Sequence, residues 1–389
     1  MEKSNISAAL RKYTMPIALV LVLIFFSWRT NGAIILPQNI NNLLSQNAYV
    51  FVLAVGMLLC ILTGGNIDLA VGSVVCFSGA IGATILDKDI NFWVAVLVML
   101  IIGTLVGVWQ GFWIAYVNVP PFIATLAGMY AFRGLSNVVL QGLAVSIDNK
   151  AFLNLFGGGA DCYVPDILHG TNINMLCMAV GVIGVVIYVI TFLFSRANIK
   201  KRGYETKPLA GELIKLVVIS VVALWVTYKL ASYKGIPTSL IWILLVVFIF
   251  GYITSKTRIG RYLYAVGGNK KAAQLSGVNV KNVYFFAYVC MGLMSGLAGI
   301  LTIARATQSQ PTFGTGYEMD AIGACFIGGA SAYGGIGTVP GAIVGALLMG
   351  VINQGMSIMG MNANWQKVVK GAVLLIAIIF DVVSKKEKK

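Results

Sequence analysis

Charged residues are scarce in this sequence of 389 residues. They make up 11% of the chain, whereas 58% of its residues are hydrophobic. A soluble domain carries roughly a quarter charged residues. No polar stretch between the apolar runs is long enough to fold as a domain of its own. The composition therefore excludes an ordinary soluble protein and predicts a membrane protein with many spans.

Acidic residues and histidine are also rare, which limits the chemistry that the chain can carry. There are 13 acidic residues and one histidine, His169. A Ser-His-Asp or Cys-His arrangement inside the membrane would therefore lack a base, and neither an HExxH motif nor a Walker A phosphate loop occurs. His169 shares the loop 142–172 with Asp148, Asp161 and Asp166, but no second His or Cys stands at ligand spacing. We expect a solvated histidine, no metal site, and a conduit rather than an enzyme.

The six cysteines form no CxxC pair, and most of them lie within apolar runs. Cysteines in such runs pack as small hydrophobic residues. Only Cys162, in a predicted external loop, is expected to be open to oxidation, and it has no partner in that loop. The sequence therefore predicts no disulfide.

Basic residues exceed acidic ones, and they are clustered. The formal net charge is +15, and 19 of the 28 basic residues lie in four clusters, at 3–12, 196–215, 256–281 and 385–389. Clusters that flank membrane spans, with few basic residues in the alternate loops, indicate the cytoplasmic side. This distribution accounts for the charge, so we expect no nucleic-acid partner.

Apolar runs of about 20 residues, the length that crosses a bilayer core, recur along the whole chain. We place twelve spans at 14–29, 48–63, 69–86, 92–117, 122–141, 173–194, 212–231, 238–255, 282–304, 320–337, 340–358 and 365–383. An even number puts both termini on the cytoplasmic side, together with all four basic clusters. The predicted fold is an all-α transmembrane bundle forming one permease domain over residues 1–389.

Glycines interrupt or line several of these spans. The span 320–337 is expected to be broken or re-entrant, because the run 328–342 contains so many glycines. Irregular backbone is tolerated at membrane depth only where protein or a wet cavity covers it. Gly103 with Gly107, and Gly292 with Gly296, have the small-xxx-small spacing that lets membrane helices approach closely.

Two polar breaks carry candidate residues. At 64–73, two glycines end one apolar run, and Asp68 is expected to cap the next helix at its positive end. The alternative is that this turn lines the transport path or its cytoplasmic gate. At 118–129, tandem prolines are expected to begin a helix. Arg133, one turn further on, would cost about 2.5–3.5 kcal/mol in lipid, so it should face the interior or a cavity, or snorkel.

A third polar stretch, 305–320, is predicted to be external. It combines amide and hydroxyl side chains with two aromatic residues and with Glu318 and Asp320. Such groups suit a neutral polyol, whereas the two acids equally suit the cap of the following helix. The candidates for the translocation path are Asn66, Asp68, Thr125, Arg133, Gln310, Tyr317, Glu318 and Asp320.

The segment 260–279 is polar, basic and rich in Gly and Ala within an otherwise apolar chain. It cannot lie in hydrocarbon, and its small residues offer a docking surface rather than a core. We call residues 256–281 the coupling segment.

Five motifs in order resemble the permease subunits of bacterial monosaccharide ABC importers, the branch that contains ribose, xylose and multiple-sugar systems. They are Gly64–Ser73, Val119–Gly134, Gly260–Asn279, Ser309–Asp320 and Ile327–Gly345. An extra hairpin at 173–232 resembles the longer xylose and multiple-monosaccharide permeases. The family's acidic-Ile-Asp-Leu-Ser element departs here, since Ala70 stands where the family has a hydroxyl.

The resemblance implies a multi-pass protein of the bacterial inner membrane that transports a monosaccharide such as xylose, galactose or arabinose. It implies a permease homodimer or a pair of similar permeases, an external sugar-binding protein, and a separate ATPase that binds ATP and Mg²⁺, with no cofactor on this chain. The residues that it implies for ATPase coupling are Gly260, Arg261, Tyr264, Gly267, Gly268, Asn269, Ala272, Ala273, Ser276 and Gly277.

The residues alone leave other transport functions possible. Sister branches carry nucleosides or branched-chain amino acids with parts of the same pattern. A secondary transporter needs carboxylates within the membrane to carry protons or sodium, and most of the acids here fall in loops or at span ends.

Overall fold

The computed structural model describes residues 2–170, 173–203 and 209–386, and these are mostly α-helical. Parts of two predicted basic clusters, at 204–208 and 387–389, lie outside the described residues. The α-helices of the described residues are α1 (Glu2–Arg29), α2 (Pro37–Gln46), α3 (Ala48–Leu62), α4 (Val71–Asp87), α5 (Phe92–Ala115), α6 (Pro121–Leu140), α7 (Lys150–Phe156), α8 (Met175–Lys201), α9 (Leu209–Ala231), α10 (Thr238–Lys256), α11 (Arg258–Gly268), α12 (Lys270–Leu275), α13 (Val280–Ala306), α14 (Tyr317–Ile327), α15 (Val339–Ile358) and α16 (Ala363–Lys386).

Helices long and apolar enough to cross a membrane number seven within the described residues. They are α5, α6, α8, α9, α10, α13 and α15. The consecutive helices α2 and α3 would supply an eighth span if they act as one broken span. The chain is therefore a multi-pass helical membrane protein. The count of twelve spans, and the cytoplasmic placement of both termini, stay predictions.

The chain divides into two compact units. One comprises residues 1–34, 43–162 and 238–389, and the other comprises residues 35–42 and 163–237. In the smaller unit, α8 and α9 pack against each other as a hairpin at the position of the predicted insertion. The backbone N–H of Asn174 donates to the carbonyl oxygen of Ala231 at 3.0 Å, which closes the open end of this hairpin.

Asp166 organises the start of α8. Its carboxylate accepts four backbone N–H groups, from Leu168, Gly170, Met175 and Leu176, at 2.9 to 3.1 Å. Partial desolvation raises the pKa of this carboxyl, but the four hydrogen bonds favour its charged form and hold the pKa below its usual value. Asp166, which the sequence placed in a solvated loop, is therefore a structural cap of the hairpin.

The core of the larger unit is built around α3 and α13. All residues of α3 except Tyr49 are buried, and most of α13 is buried as well. The predicted glycine spacing appears at the contact between α5 and α13. A Cβ on Gly103 would lie 2.8 Å from the Cα of Gly296, and one on Gly107 would lie 3.0 Å from the Cα of Gly292. The close approach predicted for these glycines is confirmed.

A short two-stranded sheet lies between segments that were both predicted as external. Strand β1 (Val145–Ser146) pairs antiparallel with β2 (Gln308–Ser309), with Val145 opposite Ser309. The sequence analysis did not predict these strands, because two residues give no detectable alternation. The pairing holds the loop before α7 to the polar stretch after α13.

All six cysteines are buried, including Cys162. Its side chain is only 1% exposed, so the expectation that it is the cysteine open to oxidation is wrong. The backbone N–H of Thr238 donates to the carbonyl oxygen of Cys162, and this contact covers the loop in which the thiol sits.

Candidate functional site

The coupling segment forms two short helices rather than one. The side chain of Thr257 caps α11 by accepting the N–H of Gly260 at 3.2 Å, and Asn269 caps α12 by accepting the N–H of Ala272 at 3.0 Å. Asn269 adopts an extended backbone, so the chain turns between the two helices. This break was not predicted, although Gly267-Gly268-Asn269 is a recognisable stop-and-cap signal in the sequence.

One face of the coupling segment is anchored in the protein. The hydroxyl of Tyr264 donates to the carbonyl oxygen of Gly337 at 2.8 Å. A Cβ on Gly267 would collide with the carbonyl oxygen of Leu62. Gly260 and Ala273 are also buried. These four candidate coupling residues therefore hold the segment in place and are not available to a partner.

The opposite face of the segment is exposed. The exposed candidates are Arg261, Gly268, Asn269, Ala272, Ser276 and Gly277. A residue that the sequence analysis missed, Leu275 on α12, is 90% exposed. This large apolar side chain projects from the same exposed face as the polar candidates of α12. Its signal in the sequence was a single leucine among small and polar residues.

Three glycine turns meet beneath the coupling segment, and we call them the glycine junction. They are the end of α3 at Leu62–Gly65, the end of α11 at Gly267–Gly268, and the irregular stretch at Gly334–Gly335. The N–H of Gly335 donates to the carbonyl oxygen of Leu62 at 3.1 Å. A Cβ on Gly65, Gly267, Gly334 or Gly335 would strike neighbouring backbone. The junction therefore packs the end of α11 directly against the end of α3 and against the chain before α15.

The Gly-rich run that contains part of this junction is not a plain span. Helix α14 ends at Ile327, residues 328–338 are irregular, and α15 begins at Val339. A broken helix was one of the two forms expected for 320–337. The break has positive φ angles at Gly329, Gly334, Gly335 and Gly337, conformations that glycine adopts without strain.

Asp68 does not cap α4, contrary to the sequence expectation. The N-cap position is Ala70, which makes no side-chain cap bond. Asp68 is 2% exposed, and its carboxylate accepts the N–H of Ala70 at 2.8 Å, so it stabilises the turn that leads into the helix. Asn66, half-buried in the same turn, donates to Thr63 Oγ1 at 3.1 Å.

Thr125 is buried, and its hydroxyl donates to the carbonyl oxygen of Pro121 at 2.8 Å. Helix α6 begins at Pro121, as the tandem prolines predicted. Arg133 faces the protein, where Nη1 donates to the carbonyl oxygens of Pro311 (3.2 Å) and Phe313. The second and third polar motifs are therefore in contact, and the arginine fixes the loop that follows β2.

Glu318 and Asp320 have different environments, although both stand in the first turn of α14. Glu318 accepts the backbone N–H of Gly316, which agrees with a capping role. Asp320 is 1% exposed and caps nothing. Its Oδ2 accepts the hydroxyl of Tyr49 at 2.7 Å, and it forms an ion pair at 3.0 Å with Lys370. The helix-cap interpretation is thus wrong for Asp320, because its side chain points toward α3 and α16.

An open cavity of about 160 Å³ is lined by Tyr49, the tyrosine that donates to Asp320, and we call it the aromatic cavity. Tyr49 and Tyr317 stack there with ring centroids 3.6 Å apart and planes 14° apart. The cavity is lined by Ser45, Gln46, Ala48, Tyr49, Leu301, Thr302, Arg305, Ala306, Phe313 and Tyr317. Gln310 does not line it; its carbonyl oxygen accepts the thiol of Cys76 at 3.7 Å.

Helix α13 joins the two regions. It begins at Val280, directly after α12, and ends at Ala306 on the wall of the aromatic cavity. Its 27 residues span roughly 40 Å at 1.5 Å per residue, which is more than the thickness of a hydrocarbon core. The coupling segment and the aromatic cavity therefore lie at opposite ends of one buried helix.

Several known proteins resemble this chain over most of its length. A family described as "Branched-chain amino acid transport system / permease component" matches residues 39–154 and 167–378. The xylose transport system permease protein of Escherichia coli K12 is 34% identical over 383 residues, 98% of this chain and 94% of that protein. The corresponding protein of Haemophilus influenzae strain Rd is 35% identical over 387 residues, 98% of each chain.

A second group of relatives is matched over a shorter length. The ribose import permease protein of Escherichia coli K12 is 34% identical over 345 residues, 88% of this chain and 85% of that protein. No solved structure was found to match the chain. The family match and the near full-length identity together establish the relationship. The chain belongs to the permease family of ABC importers that includes the xylose and ribose permeases.

Proposed function

We propose that this chain is the membrane-spanning subunit of an ATP-driven importer that carries a monosaccharide, with xylose as the first candidate. The observation that supports it most is the match to xylose permeases over 98% of the chain, since the match to the ribose permease covers 88%. The α8–α9 hairpin, which is typical of the longer sugar permeases, supports the same substrate class.

The partners in this proposal follow from the exposed face of the coupling segment. A cytoplasmic ATPase docks on α12, with Leu275 in an apolar pocket and Arg261, Lys270 and Lys271 opposite acidic groups. ATP and Mg²⁺ bind to that ATPase and not to this chain. An external binding protein delivers the sugar, and two copies of the permease surround the path in the inner membrane of a bacterium.

The mechanism that we propose is a displacement of α11 and α12 when the ATPase closes. Helix α11 packs against α3, α10 and α13, and the glycine junction links it to the chain before α15. A push on α12 therefore tilts the spans on either side of the coupling segment, α10 and α13, and changes access at the far end of α13. This is a rigid-body transition driven through packed backbone.

Two alternatives have specific observations behind them. The description of the matching family names branched-chain amino acid transport, so amino acids, and with them nucleosides, form the second candidate cargo. A secondary transporter would need a titrating carboxylate at membrane depth. Asp320 is a buried carboxylate in α14, but its pairing with Lys370 and Tyr49 favours a structural ion pair instead.

The test is uptake of a labelled panel in cells that lack this chain, and again after complementation with the chain, its ATPase and its binding protein. The panel contains xylose, arabinose, galactose, glucose and ribose, with a nucleoside and leucine as the competing cargoes. We expect sugar uptake that stops on ATP depletion and resists an ionophore. Uptake of leucine or the nucleoside alone would refute the sugar assignment, and ionophore-sensitive uptake in ATP-depleted cells would refute the ATP-driven mechanism.

A further inference from the structure

The aromatic cavity has the size of a small ring. A cavity of roughly 150 Å³ inside a protein accommodates benzene, and this one has about 160 Å³. It is open on one side, and it is formed by three separate parts of the larger unit, namely the turn between α2 and α3, the end of α13, and the start of α14. A six-membered ring therefore fits without movement of the backbone.

The chemistry of the lining suits a neutral polyol. Phe313 and the stacked pair Tyr49–Tyr317 supply aromatic surface, on which the C–H groups of a sugar ring can pack. Gln46 and Arg305 supply amide and guanidinium groups for the sugar hydroxyls. The lining residues include no carboxylate, so nothing there pairs with the ammonium group of an amino acid.

The aromatic wall is held in a fixed position from behind. Tyr49 donates to Asp320 at 2.7 Å, and Asp320 pairs with Lys370 at 3.0 Å. Neither of these charged residues lines the cavity. On the opposite wall, Arg133 holds the carbonyl oxygens of Pro311 and Phe313. A binding site built on residues whose conformations are already fixed loses little entropy when a ligand binds.

The position of the cavity fits a stage in transport. It lies at the end of α13 that is remote from the coupling segment, beside the β1–β2 pair between the two loops predicted as external. A sugar held here would contact α13 directly through Leu301, Thr302 and Arg305. The occupant is therefore in contact with the helix that leads to the ATPase-docking face.

We propose that the aromatic cavity is a monosaccharide-binding site of the permease itself, which the sugar occupies after leaving the binding protein. This inference rests on the proposed function and adds a site and its ligand contacts to it. The small volume and the open side give a weak site, which suits a sugar that has to move on. The aromatic cavity selects a neutral ring that carries several hydroxyl groups. Its binding does not require a charged group on the ligand.

The experiment is saturation-transfer NMR with the full chain alone in lipid nanodiscs, without ATPase or binding protein, and with D-xylose as the probe. Wild-type permease should transfer saturation to the xylose ring protons. The change Tyr317→Ala should weaken xylose binding at least tenfold, because one face of the site is lost. Tyr317→Phe, which keeps the ring, should retain most of the signal.

The matched control is Tyr130→Ala, which removes a tyrosine that is 71% exposed on α6 and does not line the cavity. It should bind xylose as the wild type does. Equal signals from wild type and Tyr317→Ala, or no signal from the wild type, would overturn the site. If either of these results is found but the complete system still imports xylose, the binding site is wrong and the proposed function is unaffected. If the permease binds xylose but the complete system imports no sugar, the proposed function is wrong.

Discussion

At the scale of single residues, the ion pair between Asp320 and Lys370 is the contact that was hardest to predict from the sequence. A carboxylate in the first turn of a helix is normally a cap, and the sequence does not indicate that α16 brings a lysine to it. The structure gives the pair a third member, Tyr49, whose hydroxyl completes the coordination of the carboxylate. The result is a link between α3, α14 and α16.

We expect Asp320→Asn and Lys370→Met each to lower the free energy of unfolding by about 3 kcal/mol, because removal of one member leaves a buried partner without compensation. The double variant should lose clearly less than the sum of the two single losses. Equilibrium unfolding of the three variants in mild detergent measures this coupling. Strict additivity would mean that the ion pair contributes nothing as a pair.

Leu275 is the second residue with a clear individual role. The change Leu275→Glu should reduce the affinity for the ATPase at least tenfold, as expected for the loss of an apolar anchor at the centre of an interface. The fold should be unchanged, because the side chain is 90% exposed. Co-purification and surface binding of the ATPase measure the effect.

The control for this prediction is Leu143→Glu, which changes another leucine that is 68% exposed but lies in a predicted external loop. It should leave ATPase binding intact. If both variants bind the ATPase like the wild type, Leu275 is not an anchor.

At the scale of secondary-structure elements, the contact between α5 and α13 depends on glycine. The change Gly107→Leu should destabilise the protein by about 1–3 kcal/mol, since the added side chain meets the Tyr288 carbonyl oxygen and the Gly292 Cα. Gly251→Leu on α10 is the control, because a Cβ there has no neighbour within 4 Å. Thermal unfolding in detergent should separate the two variants, and equal melting temperatures would contradict the close packing.

The first turn of α8 should depend on pH through Asp166. Its pKa in the folded protein lies below the usual value of about 3.9, so the fold favours the carboxylate. The stabilisation is therefore complete above the unfolded pKa and is lost as the pH falls through the folded pKa. Hydrogen-exchange protection of Met175 and Leu176, corrected for intrinsic rates, should exceed that of Asp166→Asn at pH 6, and the difference should shrink as the pH is lowered below the usual carboxyl pKa. An unchanged difference across this range would contradict the role of the carboxylate.

How much could be predicted from the sequence differs between elements. Each predicted span contains a helix, because long apolar runs and the prolines and glycines that bound them are strong local signals. The break at 328–338 was expected from its glycines. The strands β1 and β2 and the division of the coupling segment into α11 and α12 were missed, because two-residue strands and six-residue helices are fixed by tertiary contacts and caps rather than by periodicity.

The candidate site could be predicted only in part, for a related reason. The polar motifs were found as polar residues in apolar surroundings, and two of them do meet through Arg133. Which face of each motif is exposed depends on packing partners far away in the chain. Gly267 and Gly268 are neighbouring glycines, yet their surroundings differ. Gly267 is packed against Leu62, whereas a Cβ on Gly268 would have no neighbour within 4 Å.

At the scale of the whole molecule, we expect substitutions at these two glycines to separate ATPase docking from folding. The change Gly268→Trp should leave a folded protein, because nothing lies within 4 Å of its Cβ position, and should abolish sugar-stimulated ATP hydrolysis. Gly267→Trp should instead impair folding, since the side chain would strike the glycine junction. ATPase activity and gel-filtration profiles measure both effects; full activity of a folded Gly268→Trp complex would contradict the docking face.

In the mechanism that we propose, the aromatic cavity, the buried helix and the ATPase-docking face belong to one transport path. ATP hydrolysis by a partner then moves a sugar past this chain. Sequence and geometry both support that claim through the same helix, α13, which begins at the coupling segment and ends at the cavity.

The most direct measurement is uptake of labelled xylose by proteoliposomes that contain the permease and its ATPase, with the binding protein outside and ATP enclosed. We expect xylose to accumulate against its gradient when ATP is enclosed, and not to accumulate with ADP or without the binding protein. Equal uptake with ATP and ADP, or accumulation that follows an imposed proton or sodium gradient instead, would contradict it.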